Sequence, residues 1–291
     1  MKKLFALFFV VFALAACNSN GGEAADGNGS ESVSIISIGP AITEVVVDLG
    51  FGSNIIGTDI HSPGIPNLPD GLPLFDMMTL DAEAIVALGP DMLFISNIVP
   101  NLDNHIQILE GAGITVFALS TSATVAGINE FILTIGGHLD ARAAAQNLIS
   151  EMEAQIAEIS AIAAGIDVQN RRTVYFEIDP PPFMFSVGAG TFLNELIGIV
   201  GGINIFADEE GWIMVADEAV LAANPVVILT NVGWMDDPVG DISSRAGWYG
   251  LDAVAAGNIH VIDTDATSRA NHNITRGLWQ MARAIYPEYF N

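Results

Sequence analysis

Residues 80–96, LDAEAIVALGPDMLFIS, are echoed by residues 215–231, VADEAVLAANPVVILTN, at a constant offset of 135 residues. Glu83 faces Glu218, Ala84 faces Ala219, Ile85 faces Val220, Ala87 faces Ala222 and Pro90 faces Pro225, and a β-rich run follows in each copy. Two further pairs keep the same order. GPAITEVVVDLG (39–50) matches GAGTFLNELIGIVG (188–201) at offset 151, which sets Glu44 on Glu195, and AGITVFALS (112–120) matches AGNIHVIDT (256–264) at offset 144. Three matches in one order constrain the chain to two lobes of one architecture.

Each lobe alternates short apolar runs with helical segments. SVSIISI, DMLFIS and TVFALS play the strand roles in the first lobe, and TVYFEI, VVILT and NIHVID play them in the second. Continuous apolar strands separated by helices read as βαβ units around a sheet buried on both faces, so the fold class is α/β, with two such lobes. Ligands usually bind in the loops after such strands. Between the lobes, Ile149, Met152, Ile156, Ile159, Ala163 and Ile166 recur at steps of three and four, the stripe of an amphipathic helix. The spacing predicts one linking helix from Leu139 to Ile166, roughly 40 Å long, that joins the lobes as a strut with little hinge motion.

At the N-terminus, Lys2 and Lys3 precede an apolar run, Leu4–Ala13, of signal-peptide rather than membrane-span length. The run ends in Leu14, Ala15, Ala16 and Cys17, which resembles the bacterial lipobox, and Cys17 is the one cysteine of the 291 residues. The expected organisation is therefore a lipoprotein signal peptide at 1–16 and a lipidated Cys17 with a flexible tether, NSNGGEAADGNGSES, at 17–32. The first lobe is expected at 33–138, the linking helix with its flank at 139–168, and the second lobe at 169–291. Such a chain is extracytoplasmic and anchored to the cell membrane. No later run of 18 uncharged apolar residues suggests a span, and disulfides contribute nothing.

Charge excludes one class of partner. There are 34 acids against 9 bases, and both lysines lie in the signal, which leaves seven arginines and no lysine in the mature chain. No basic face exists for phosphate neutralisation, so nucleic-acid binding is excluded.

The lipobox, the tether, SIISIGPAITEVVVDLG, AEAIVALGPDMLF, the single linking helix, GGINIFADEEGW, DEAVLAANP and GWYGLDAVAAGNIHVID together resemble the periplasmic-binding family for iron complexes and cobalamin, from about Val33 to Tyr289. The resemblance implies the class III periplasmic-binding fold, two βαβ lobes joined by a single long α-helix with a ligand cleft between them. It also implies a monomer that captures a metal chelate (ferric siderophore, haem or cobalamin) and delivers it to an ABC importer, with no cofactor of its own. In that family one glutamate per lobe docks on arginines of the permease dimer. The matching positions are Glu83 and Glu218, which the repeat pairs independently. A carboxylate in a helix's first turn also complements the helix dipole, by under about 1 kcal/mol.

Cleft candidates come from the loops after strands. In the first lobe they are Asp59 and His61 in GTDIHS and Phe75, Met77 and Met78 in LPLFDMM. In the second they are Phe183, Met184 and Phe185 in DPPPFMF, Trp212, Trp234, and Arg269 with His272 in SRANHN. Such a surface is apolar and aromatic with few polar anchors, which suits a bulky chelate. Arg269 is the expected anion anchor. Some haem-binding members use a methionine just before the docking glutamate and a histidine in the last cleft loop, so Met78 and His272 would ligate iron if the ligand were haem.

Catalytic motifs are lacking: there is no G-x-S-x-G, H-E-x-x-H or Walker loop. The five histidines show no ligand spacing, which leaves a free metal-ion receptor as a weaker alternative. A tethered hydrolase using a pair such as Asp59 and Asp179 is the remote one.

Overall fold

Runs of aliphatic residues that a helix-covered sheet can bury on both faces become the parallel strands here. The computed structural model describes residues 33–290, so the signal segment, Cys17 and the tether lie outside the described residues. The first lobe runs β1 (Ile35–Ile38), α1 (Pro40–Val46), β2 (Ile55–Asp59), β3 (Leu74–Phe75), α2 (Ala82–Leu88), β4 (Met92–Ser96), α3 (Leu102–Gly111), β5 (Thr115–Leu119) and α4 (Val125–His138). Its strands form one parallel sheet in the order β3-β2-β1-β4-β5. All four residues of β1 are buried, and Ile36 pairs with Leu93 in the middle of the sheet. At the start of β1 the Ser34 N–H and hydroxyl both donate to Asp91, at 2.8 and 2.7 Å, and hold its carboxyl below the usual range. This tie is complete above the ordinary carboxylate pKa and is lost as pH falls through the depressed value.

The second lobe runs from β6 to α11, after α5 (Arg142–Ala163). Its elements are β6 (Thr173–Glu177), β7 (Phe185–Val187), α6 (Phe192–Ile199), β8 (Ile203–Asn204), β9 (Trp212–Met214), α7 (Asp217–Ala223), β10 (Val227–Thr230), α8 (Pro238–Ser244), α9 (Asp252–Ala256), β11 (Ile259–Val261), α10 (Thr264–Ser268) and α11 (Ile274–Ile285). Four strands form a parallel sheet in the order β11-β10-β6-β8, and β7 pairs with β9 as a separate antiparallel ribbon. The fold is α/β with two parallel-sheet lobes.

The repeat is visible in the backbone. α2 and α7 begin and end at the same offset of 135, and so do the starts of β4 and β10. Both helices stop at a left-handed residue, Gly89 at φ +61° and Asn224 at φ +43°, the two residue types that accept this conformation most readily. β5 and β11 begin at offset 144.

The strut is α5, with 22 residues rather than the expected 28, or about 33 Å. Leu139–Ala141 form a turn instead of a first helical turn, because Asp140 takes φ +53° and separates α4 from α5. The expected stripe holds within these bounds: Ile149, Met152, Ile159 and Ala163 are buried. Near its start, Ala145 packs so closely on Gly136 of α4 that a Cβ at Gly136 would lie 2.5 Å from that of Ala145. Near its end, Ala163 lies against Gly201 of the second lobe. One apolar core therefore runs from β1 and α4 through α5 to α6 and α11, which makes the strut part of both lobes.

Candidate functional site between the lobes

The loops after β1, β2, β4 and β5 leave the C-terminal edge of one sheet, and the loops after β6, β10 and β11 leave the corresponding edge of the other. These edges meet. In the first lobe a buried polar chain shapes the edge. Asp59 is fully buried, and its carboxylate accepts from Gly39 N–H (2.9 Å), His61 N–H (2.8 Å) and the Ser62 hydroxyl (2.6 Å). Ser62 continues to Thr43, which bonds Ser37, so four elements of the edge share one network. Gly39 sits at φ +132°, a conformation that an L side chain rarely adopts. Asp59 thus organises the loops rather than facing the cleft, which corrects the expectation from sequence and leaves the hydrolase pair without one of its two acids.

The second lobe reaches across with the SRANHN loop. Arg269 Nη1 lies 2.5 Å from Glu44 Oε1, and its Nη2 donates to the His61 carbonyl at 3.1 Å and pairs with Asp265 at 2.8 Å. Asn271 and Asn273 both donate to Glu44 Oε2, at 2.7 and 3.0 Å. His272 Nε2 lies 2.8 Å from Asp48 Oδ2, while its Nδ1 is buried without a partner among the described residues. Arg269, expected as a free anion anchor, and His272, expected as a metal ligand, are both engaged in this contact with the first lobe.

Above the contact lies a cavity of about 200 Å³, lined by Gly39–Ile42, Met77, Ser96, Ile98, Leu119, Thr121, Phe131, Ser268 and Arg269. Of the expected residues only Met77 and Arg269 reach it. Phe75, the last residue of β3, is buried in the core and packed toward Gly57, and Met184 is likewise core, so neither faces the cleft. Phe185 is half-buried in β7. The remaining apolar candidates are open to solvent: Met78 is 64%, Phe183 68%, Trp212 54% and Trp234 69% exposed. Phe183 follows β6 and Trp234 follows β10, on the cleft edge. Trp212 packs edge-on against Phe192, 6.2 Å between ring centres, at the start of α6. His61 is exposed.

Every arginine on the cleft edge has an acidic partner: Arg269 has Glu44 and Asp265, Arg245 has Glu177 and Asp241, and Arg276 has Asp263. Among the described residues no group of three or more His, Cys, Asp or Glu is placed to hold a metal ion. No described helix is long and apolar enough to cross a membrane. The arrangement offers a small, largely apolar cavity at the lobe contact, with exposed aromatic side chains elsewhere on the second lobe.

The two docking candidates lie away from the cleft floor. Glu83 stands exposed in the first turn of α2, which Asp81 caps by accepting from Ala84 N–H at 3.0 Å. Glu218 stands exposed at the equivalent place in α7, whose Asp217 accepts from the buried Trp248 Nε1 at 3.0 Å.

Sequence reasoning missed Asp48, Asn271 and Asn273. The available signal was the spacing R-x-N-x-N opposite an acidic helix, but the partners are 224 to 229 residues apart.

Comparison with known proteins agrees with this geometry. YvrC, an ABC transporter substrate-binding lipoprotein of Bacillus subtilis (strain 168), is 28% identical over 262 residues, 89% of this chain and 82% of that one. A cobalamin-binding protein of Halobacterium salinarum (strain R1) is 24% identical over 269 residues, 88% and 70% of the two chains. The periplasmic heme-binding protein of Roseiflexus sp. RS-1, solved in apo form, superposes with a TM-score of 0.77 at 23% identity over 88% of this chain and 98% of its own. The family model described as periplasmic binding protein matches residues 35–266, and the chain belongs to that family.

Proposed function

We propose that this chain is an extracytoplasmic receptor, tethered through lipid on Cys17, that captures a metal chelate as a monomer and hands it to the permease dimer of an ABC importer without turnover. The cleft mouth carries this reading. Phe183, Trp212 and Trp234 expose large apolar faces on the second lobe, and the cavity at the lobe contact, about 200 Å³, is too small to enclose a tetrapyrrole, so in this reading a bulky ligand rests at the cleft mouth on those aromatic faces. Because the cleft-edge arginines are already paired, the chelate brings no carboxylates or catecholates that need neutralising. Of the three chelate classes, a corrinoid with its amide periphery fits that demand best, and the Halobacterium relative named for cobalamin binding supports the same choice. A haem-specific reading through Met78 and His272 would require His272 to leave Asp48. Glu83 and Glu218 are the proposed permease contacts, supported by their exposure and matched placement.

Tryptophan fluorescence tests the ligand face. Of the four tryptophans Trp248 is fully buried and Trp279 is half-buried against Phe290, so the responsive signal comes chiefly from Trp212 and Trp234. Titration with cobalamin or cobinamide should quench it. Trp212→Ala and Trp234→Ala should each weaken binding by about tenfold through lost aromatic contact. Unchanged affinity in both variants would move the ligand elsewhere.

A further inference from the structure

We infer that Glu44 and Glu195, the two glutamates that the internal repeat sets on each other, are positioning residues that tie the lobes together and fix the spacing between them. Each sits on the first helix of its repeat unit, Glu44 in α1 and Glu195 in α6. All the partners of the Glu44 carboxylate are in the second lobe: Arg269, Asn271 and Asn273. The partner of Glu195 is in the first lobe: its Oε2 accepts from Val125 N–H, the first residue of α4, at 2.8 Å. At the offset of 144 that relates β5 to β11, Val125 corresponds to Arg269. The same crossing is thus made twice, once in each direction, between equivalent places of the two lobes. A carboxylate serving only its own lobe would bond within that lobe, and among the described residues neither does.

The two ties differ in strength. Glu44 is buried, its side chain 7% exposed beside an Arg269 side chain 13% exposed, and it accepts from three donors. A charge held there is costly to leave unpaired, so the lobes cannot separate without breaking the whole set. Glu195 is exposed and accepts one N–H at a helix start, a weaker contact helped by the helix dipole. Together with α5 and the His272–Asp48 contact they make a frame of four connections, in which Glu44, with three donors, is the dominant side-chain element. The frame sets the width of the aromatic mouth and the span from Glu83 to Glu218. Its consequence for transport rests on the receptor reading above; the spacing itself does not.

Pulsed electron paramagnetic resonance on the full chain reads that spacing. Ala87→Cys and Ala222→Cys place labels at exposed, repeat-equivalent positions on α2 and α7, with Cys17→Ser so that only these thiols react. The parent should give one narrow distance distribution. Glu44→Ala should at least double its width, Glu195→Ala should broaden it less, and the double variant should broaden it most. Glu44→Gln, which still accepts from the two asparagines, should fall between parent and alanine. If Glu44→Ala fails to fold by circular dichroism, Asn273→Ala and Arg269→Gln break the same tie from the opposite lobe and should broaden the distribution. A distribution unchanged in the folded variants overturns the inference, whatever ligand binding or uptake shows.

Discussion

Cells carrying Glu83→Ala together with Glu218→Ala should lose at least nine-tenths of chelate uptake while the purified variant keeps its affinity for the ligand within about twofold. Both carboxylates are exposed, neither has a hydrogen bond or ion pair among the described residues, and each lies in the first turn of a seven-residue helix at the same place in its lobe. Surface changes of this kind alter stability by no more than about 0.5 kcal/mol, so a transport defect could not be assigned to unfolding. Two charges on opposite lobes set both the attraction to a partner and the register in which it is met. The single variants should each retain part of the transport. Normal uptake by the double variant would remove these residues from the docking surface and leave the receptor reading to stand on ligand binding alone.

The largest effect on stability is expected at Arg245. Its guanidinium, 9% exposed, holds Glu177 with Nη1 to Oε2 at 2.5 Å and Nη2 to Oε1 at 2.9 Å, and it also pairs with Asp241. It lies over the Trp248 ring at 4.7 Å, and Trp248 in turn donates to Asp217 at the start of α7. Arg245→Met leaves the Glu177 carboxylate buried without its cation, a loss of about 3–5 kcal/mol by denaturant unfolding. Combining it with Glu177→Gln should recover most of that loss, because no uncompensated charge remains. The pH dependence has a defined sign. Burial pushes the Glu177 carboxyl above its ordinary value, with the Arg245 hydrogen bonds opposing. A carboxyl raised in the folded state favours folding while protonated, and that contribution fades as pH rises through the raised value. Arg245→Met should therefore lie closest to the parent in acid and furthest from it at neutral pH. A loss under 1 kcal/mol, or one that grows on acidification, would show that the pair does not hold this edge of the second lobe. Because the same contacts anchor α7, the variant should also weaken uptake, as the docking role proposed for Glu218 requires.

Much of the fold was legible because parallel strands buried on both faces leave continuous apolar runs, and IISI, MLFIS, TVYFE and VILT are such runs. The repeat carried the two-lobe architecture, down to the shared limits of α2 and α7. The strut was overestimated where local composition is neutral: nothing in Leu139, Asp140 and Ala141 forbids a helix, and only Asp140's left-handed backbone breaks it. Two-residue strands such as β3 and β8 take their definition from neighbours and leave no periodic trace.

The site was legible in outline only. Loop position and residue type point to aromatics after strands, and Phe183 and Trp234 are exposed in such loops. Phe75 and Asp59 were misplaced because a residue at a strand's end can turn inward as easily as outward, and sequence does not record which. Arg269 was expected to anchor an anionic group of the ligand, but it is paired with Glu44, which lies 225 residues earlier. Glu44 itself was noticed as a repeat match. Its use could be read only when both lobes were seen together.

The central claim is capture of a chelate without chemistry on it. Native mass spectrometry of the chain lacking residues 1–17, mixed with cobalamin, cobinamide, haem and a panel of ferric siderophores, tests it most directly. The account predicts a one-to-one, non-covalent complex with a corrinoid whose released ligand has unchanged mass. A folded protein that binds none of them, or that returns a ligand of altered mass, would contradict it.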